Sequence, residues 1–297
     1  MLNSLIRIGT AGWSYQDWNA IVYPERPPRG FDRLSLMASL FDTNEINSTF
    51  YRIPPPSMSE NWARKVEHNP RFLFTAKLYR GFTHERESGD TDRDAFLDAM
   101  RPLCEAKRLG CVLVQFPMSF HDTAENRRHL EETLGRLETL PLAVEFRHAS
   151  WNTDGAQQLL SRHRAAFVNI DQPALSDNLP ATEHVTAPIA YFRFHGRNAD
   201  KWFGPDTSNE ERYNYLYSAR ELDPWVSRIR DAAERAPGGV YAILNNHFRG
   251  QAVANALELQ AVLTGETRDV ARSLRAAYPS IQPITRPIED ARQRRLF

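Results

Sequence analysis

The chain has 297 residues, 41% hydrophobic and 25% charged, enough to bury the core of one large domain or two small ones. Lys plus Arg equals Asp plus Glu at 37 each, which excludes a global field able to hold a polyanion or an acidic membrane surface and makes any anion binding local. Cys104 and Cys111 lack CxxC or zinc spacing, no apolar run approaches the ~20 residues of a membrane span, and Met1 runs into Ile6-Arg7-Ile8-Gly9 without a leader pattern, so a cytoplasmic protein without disulfides is expected.

Taken in chain order, apolar or alternating runs predict strands at 6–9, 41–47, 72–77, 111–116, 142–147, 166–171, 189–195 and 240–245. Helical periodicity falls between most of them, at 32–40, 57–68, 93–109, 124–139, 154–163, 210–234 and 252–263. Asp32, Ser57, Asp122 and Thr153 are the expected caps, and Gly110 and Pro237-Gly238 the expected stops. Strand followed by helix, about eight times over, predicts an α/β chain folded as a single (β/α)8 TIM-like barrel over residues 1–265. Residues 172–188 carry three prolines and read as a loop or short helix. Residues 266–297, with an amphipathic segment at 269–277, form an expected C-terminal extension packed on the barrel.

Five strands place a polar residue at alternate positions: Thr43-x-Glu45-x-Asn47, Thr75-x-Lys77, Glu145-x-Arg147, Asn169-x-Asp171 and Tyr191-x-Arg193-x-His195. Successive strand side chains point to opposite faces, so each polar set can gather on one surface while the apolar set packs under helices. Every one of these residues lies near a strand C-terminus, the reactive end of such barrels. Glu45, Glu145, Asp171 and His195 are therefore the candidate catalytic groups, and Lys77, Gln115, Arg147 and Arg193 candidate ligand-binding groups. The structural alternative pairs Glu45, Glu145 and Asp171 against Lys77, Arg147 and Arg193 as a buried ion network. No cofactor is expected. Three cations among the carboxylates repel a metal, which leaves a divalent ion as the minor alternative and favours an anionic or zwitterionic organic ligand.

The loops after strands seven and eight add Arg197, Asn245, Asn246, His247 and Arg249, the last four leading into a helix start where barrels of this class bind phosphate. Alternatively, the asparagines only hold their loop. Trp13, Tyr15, Tyr51, Trp151 and Trp202 suggest a ring-accepting mouth, although any one of them can equally pack a loop on the rim.

Several of these segments together resemble one family. They are Ile8-Gly9-Thr10-Ala11-Gly12-Trp13-Ser14-Tyr15, Glu45-Ile46-Asn47-Ser48-Thr49-Phe50-Tyr51, Lys77 with Thr83-His84, Gln115-Phe116-Pro117, Val144-Glu145-Phe146-Arg147-His148-Ala149-Ser150-Trp151, Arg193-Phe194-His195-Gly196, and Asn245-Asn246-His247-Phe248-Arg249-Gly250-Gln251-Ala252. In order over residues 6–263, they resemble the DUF72 (YecE-like) family, which implies a TIM-like barrel and assigns no residue a role. Ala149 and Phe248 stand where the family pattern leads one to expect proline.

Three functions fit this reading. In the first, an enzyme acts on a phosphorylated or carboxylated small molecule, with Glu145 or Asp171 as base, His195 as acid, and Lys77, Arg147 and Arg193 clamping the anion. In the second, Arg and aromatic loops bind or process nucleic acid. In the third, the same pocket senses a ligand without turnover. No membrane contact is expected, and the oligomeric state stays open.

Overall fold

A computed structural model describes residues 5–201 and 209–288. Eight parallel strands, β1 (Ile6–Ala11), β2 (Thr43–Ile46), β3 (Leu73–Lys77), β4 (Leu109–Gln115), β5 (Leu142–Glu145), β6 (Ala166–Asp171), β7 (Ile189–Phe194) and β8 (Gly239–Leu244), pair in sequence order and close with β8 against β1. Around them lie α1 (Arg33–Leu40), α2 (Ser48–Tyr51), α3 (Pro56–Lys65), α4 (Asp90–Glu105), α5 (Ala124–Arg136), α6 (Asp154–Arg162), α7 (Asn209–Arg212), α8 (Ala219–Arg235) and α9 (Gln251–Thr264). The chain is thus the (β/α)8 barrel that alternating strand and helix patterns predict. No helix among the described residues is long and apolar enough to cross a membrane.

The helices form where local chemistry starts them and apolar spacing holds them. Asp32 accepts a hydrogen bond from Ser35 N at 2.9 Å to open α1, and Thr153 caps α6. Two other expected caps move. Thr123 rather than Asp122 caps α5, freeing Asp122 to pair with Arg127, while Pro55 precedes α3 and places Ser57 inside it. On α8, Leu222, Trp225, Val226, Ile229, Ala232 and Ala233 form one buried stripe against the sheet.

The larger correction concerns residues 210–234, which do not form one helix. The chain leaves α7 at Arg212 and restarts at α8, where Ser218 and Glu221 make a capping box. Between them Tyr217 is pulled inward, its hydroxyl donating to Asp171 Oδ1 at 2.8 Å and accepting from Gly196 N at 2.8 Å. Gly110, expected to end a helix, lies inside β4, where a Cβ would meet the Tyr241 hydroxyl at 2.4 Å.

Strand register decides which residues face inward. Glu45 sits opposite Thr75, Gln115 opposite Glu145, and Ile170 opposite Arg193, so these share the barrel interior. Phe192 and Phe194 of β7 face outward against Trp225. Beyond the barrel, β9 (Arg268–Val270) and β10 (Thr285–Pro287) pair in parallel around α10 (Arg272–Ala277). Val270, Leu274 and Ile281 are buried, and Ser273 and Tyr278 bond the backbone of Ile21 and Arg249, so the described part of the extension lies against the barrel.

Two glycines separate packing from propensity. At Gly9, inside β1, a Cβ would stand 1.9 Å from the Thr43 carbonyl oxygen, whereas at Gly135, within α5, nothing lies within 4 Å. Gly9→Ala is expected to unfold the barrel or cost more than about 3 kcal/mol through forced separation of β1 and β2. Gly135→Ala is expected to add about 0.5–1 kcal/mol from helix propensity, as read by urea denaturation of the two variants.

Candidate functional site

Arg193, carried inward on β7 and only 2% exposed, joins four strands in one hydrogen-bonded cluster. Its Nε and Nη2 donate to Glu45 Oε2 and Oε1 at 3.0 and 2.6 Å, a fork on β2. Its Nη1 donates to Glu145 Oε2 at 2.9 Å and to Gln115 Oε1 at 3.1 Å. Tyr191, two residues back on the same face, donates to Glu45 Oε2 at 2.7 Å and meets Thr75 Oγ1 at 2.9 Å.

Glu145 is shared further. Arg147 Nε lies 2.6 Å from its Oε1 and His195 Nε2 lies 3.3 Å from the same oxygen. Burial would raise the Glu145 carboxyl, but Arg147 and Arg193 hold it well below the usual carboxylate range. His195 is driven to about 3, first by burial and then by Arg147, and is therefore neutral at physiological pH. Asn245 Nδ2 lies 3.0 Å from His195 Nδ1, and an amide nitrogen can only donate. The ring proton consequently sits on Nε2, facing Glu145.

Above this layer opens a cavity of about 660 Å³, lined among others by Tyr15, Lys77, His84, Gln115, Arg193 and Arg212. A smaller space of about 180 Å³ shares Gln115, Arg212 and Tyr213 with it and adds Arg147 and Gln172. Lys77, at the end of β3, holds its Nζ 3.9 Å from the centre of the Phe50 ring. Among the described residues, no carboxylate oxygen pairs with that amine, because Glu45 and Glu145 are taken by guanidinium groups. Burial first, then Arg193, pulls the Lys77 amine from 10.5 to about 7, outweighing the opposing pull of Glu45 and Glu145. His84 is lowered to about 4 by burial and by Lys77, and His247, stacked on Tyr15 with ring centres 4.4 Å apart, is lowered to about 4 by burial.

Several expected site residues lie elsewhere. Asp171 is opposite Phe194 and faces the helix layer, where Trp225 Nε1 and Tyr217 donate to it and Arg197 forks onto it at 2.9 and 2.6 Å. Alternation groups Asp171 with the inward-facing polar residues, but β6 runs in the opposite phase: its Val168 and Ile170 point inward. The alternative three-against-three ion network is present in part: Glu45 and Glu145 pair with Arg193 and Arg147, whereas Asp171 pairs with Arg197 and Lys77 pairs with none of the three carboxylates. Arg197 is thereby committed to the barrel exterior.

Other assignments move for local reasons. Asn246 is buried against Tyr215 O and Asn255 Oδ1, holding the loop, while its neighbour Asn245 faces the cavity. Arg249 is exposed and contributes backbone contacts, its N–H to Asp17 at 2.5 Å and its carbonyl to Tyr278. Trp151 is fully buried in a stack with Phe146 and Phe120, and Trp13 packs on Trp62 and Phe74, so neither forms the mouth. Tyr15 and Tyr51 do line it, Tyr51 with 66% exposure, and Trp202 lies outside the described residues.

His84, Arg212 and Tyr213 line the cavity without having been expected there. His84 arrives on a π-helical turn, Gly81–Glu85, that periodicity does not reveal. Arg212 and Tyr213 were hidden inside the supposed long helix, although Ser218-Ala219-Arg220-Glu221 marks where the real one begins. Among the described residues, no group of three or more His, Cys, Asp or Glu side chains is placed to hold a metal ion.

A protein-family profile described as "Protein of unknown function DUF72" matches residues 7–282. The chain is 29% identical over 277 residues to the UPF0759 protein YunF of Bacillus subtilis, covering 87% of this chain and 95% of that protein. A DUF72 family crystal structure from Thermotoga maritima aligns with TM-score 0.75 and 34% identity, covering 87% of this chain and 99% of the other. Another from Enterococcus faecalis aligns with TM-score 0.76 and 30% identity, covering 87% and 95%.

Arg193→Met leaves two buried carboxylates without their shared partner and is expected to cost about 3–5 kcal/mol in urea unfolding. Adding Glu45→Gln and Glu145→Gln to that variant should recover part of the loss by removing the uncompensated charges. At Lys77, the folded amine loses its proton near 7 while the unfolded one keeps it to about 10.5, so the unfolded state binds more protons between those values. Stability therefore rises with pH across that window. Lys77→Met is expected to raise Tm at pH 7, with a gain that shrinks toward pH 9.5 in calorimetric scans.

Proposed function

This chain belongs to the DUF72 family, and from the make-up of its mouth cavity we propose that it is an enzyme that binds a small phosphorylated or carboxylated organic molecule at the C-terminal face of the barrel. One observation carries the reading. The described cavity wall presents Lys77, Arg80, Arg193 and Arg212 with amides and phenols, and no Asp or Glu. Behind it, Arg193 and Arg147 take up the buried carboxylates of Glu45 and Glu145, and Arg80 pairs with Glu85, so among the described residues Arg212 and the protonated fraction of Lys77 supply wall charge that an anion would neutralise. His84 and His247 stay neutral at pH 7 and add hydrogen-bonding capacity without charge.

The proposed chemistry changes with the geometry. Glu45, Glu145 and His195 are fully buried, and none lines the cavity, so their part is to fix the guanidinium groups of Arg193 and Arg147. Asp171 plays no part in this site. Among the wall residues, Lys77 titrates near neutrality and is the group suited to exchange a proton with a bound molecule. Arg147 and Gln172 from loops and Arg212 from the end of α7, around the smaller space, would hold the far end of a longer ligand.

A binding screen tests this. Inorganic phosphate and a panel of phosphorylated and carboxylated metabolites should raise Tm, while their neutral analogues should not. Arg212→Ala should weaken the best anion by about 1.5–3 kcal/mol, roughly 10- to 150-fold in Kd by titration calorimetry. Because a bound anion favours the charged amine, binding at pH 7 should take up protons, seen as heats that vary with buffer ionisation enthalpy. Indifference to all anions overturns the reading, and retention of a labelled single strand at low salt with steep release by added salt would favour nucleic acid instead.

A further inference from the structure

The anionic ligand also has a chemical class. We propose that Lys77 is a covalent nucleophile, whose ε-amine condenses with an aldehyde or ketone carbon of the bound anion to form an imine. This rests on the anion-binding reading and goes beyond it by naming the ligand as a carbonyl compound.

The argument begins with which cation stands where. Only four of the 37 Lys and Arg residues are lysines: Lys65, Lys77, Lys107 and Lys201. Lys65 pairs with Asp32 and Lys201 with Glu211, both partly exposed, and Lys107 lies on the surface. Lys77 alone sits in the barrel mouth. A site that needed only positive charge is already served there by Arg80, Arg193 and Arg212, and a guanidinium cannot act as an amine.

The surroundings also hold the amine in its reactive form. The two nearest carboxylates face Arg193 and Arg147, so the amine lies between guanidinium groups and the face of Phe50 without a counter-ion among the described residues. Burial and those cations leave about half of it unprotonated near pH 7, while an exposed lysine is almost wholly charged. The cavity of about 660 Å³ suits a metabolite-sized molecule. Its guanidinium groups would orient the anionic end while the carbonyl meets the amine.

The step balances without a further reactant. The amine lone pair attacks the carbonyl carbon, the C=O π pair moves to oxygen, and the carbinolamine then breaks its C–O bond. Oxygen leaves as water with the two amine hydrogens, and a C=N bond to Lys77 remains. Nothing is oxidised or reduced.

The test uses the wild-type protein with glyoxylate as an anionic aldehyde, trapping by cyanoborohydride and peptide mass spectrometry. Lys77 should be reductively alkylated about tenfold or more faster than Lys65, Lys107 or Lys201 at pH 7, since it alone of the four stands in the cavity that would hold the aldehyde. Labelling should rise with pH through about 7 and fall when inorganic phosphate is added. Lys77→Arg should lose the adduct at residue 77 and leave the labelling of Lys65, Lys107 and Lys201 unchanged. Labelling spread evenly over the four lysines, or none at all, overturns the proposal. If phosphate still raises Tm in that case, the anion-binding reading stands without it, and if it does not, both fail.

Discussion

A guanidinium sealed inside a closed barrel is the constraint on which the site depends. Burying a charge costs several kcal/mol unless partners of opposite sign meet it with good geometry. Arg193 meets that condition by donating to Glu45, Glu145 and Gln115, three residues supplied by β2, β5 and β4. Those strands are held in place by register, and the register by an outer layer of apolar side chains and helices. The hydrophobic packing outside the barrel therefore sets the geometry of the charges inside it.

Once Arg193 has claimed both carboxylates, the rest of the electrostatics follows. Arg147 and His195 crowd onto the remaining oxygen of Glu145, and Asn245 fixes the His195 ring so that its proton faces that carboxylate. Lys77 is left over. It rests on Phe50 at the cavity wall, where burial first and then Arg193 lower its proton affinity against the opposing pull of Glu45 and Glu145.

Much of this was legible in the residues. Strand and helix periods announce the barrel, and polar alternation brings Glu45, Lys77, Glu145, Arg147, Arg193 and His195 to one end of it. Alternation gives spacing, however, and not phase. Asn169-x-Asp171 has the same pattern as Tyr191-x-Arg193, yet β6 turns its polar set outward to Trp225 and Tyr217. Asn245 and Asn246 illustrate the same limit at one step: adjacent residues of one type, one facing the His195 ring and the other the Asn255 amide. Aromatic residues are equally silent about direction, as Trp151 in its buried stack and Tyr51 at the exposed rim demonstrate.

By itself the sequence determined the fold class, the end of the barrel where polar side chains gather, and most of the ionisable groups that meet there, because these depend on local periods and on residue type. Tertiary structure alone decided which carboxylate pairs with which cation, which cations line the cavity, and that Asp171 and Arg197 belong to the exterior. Those outcomes depend on strand register and on competition among charges brought together from distant parts of the chain, and neither is written in any one segment.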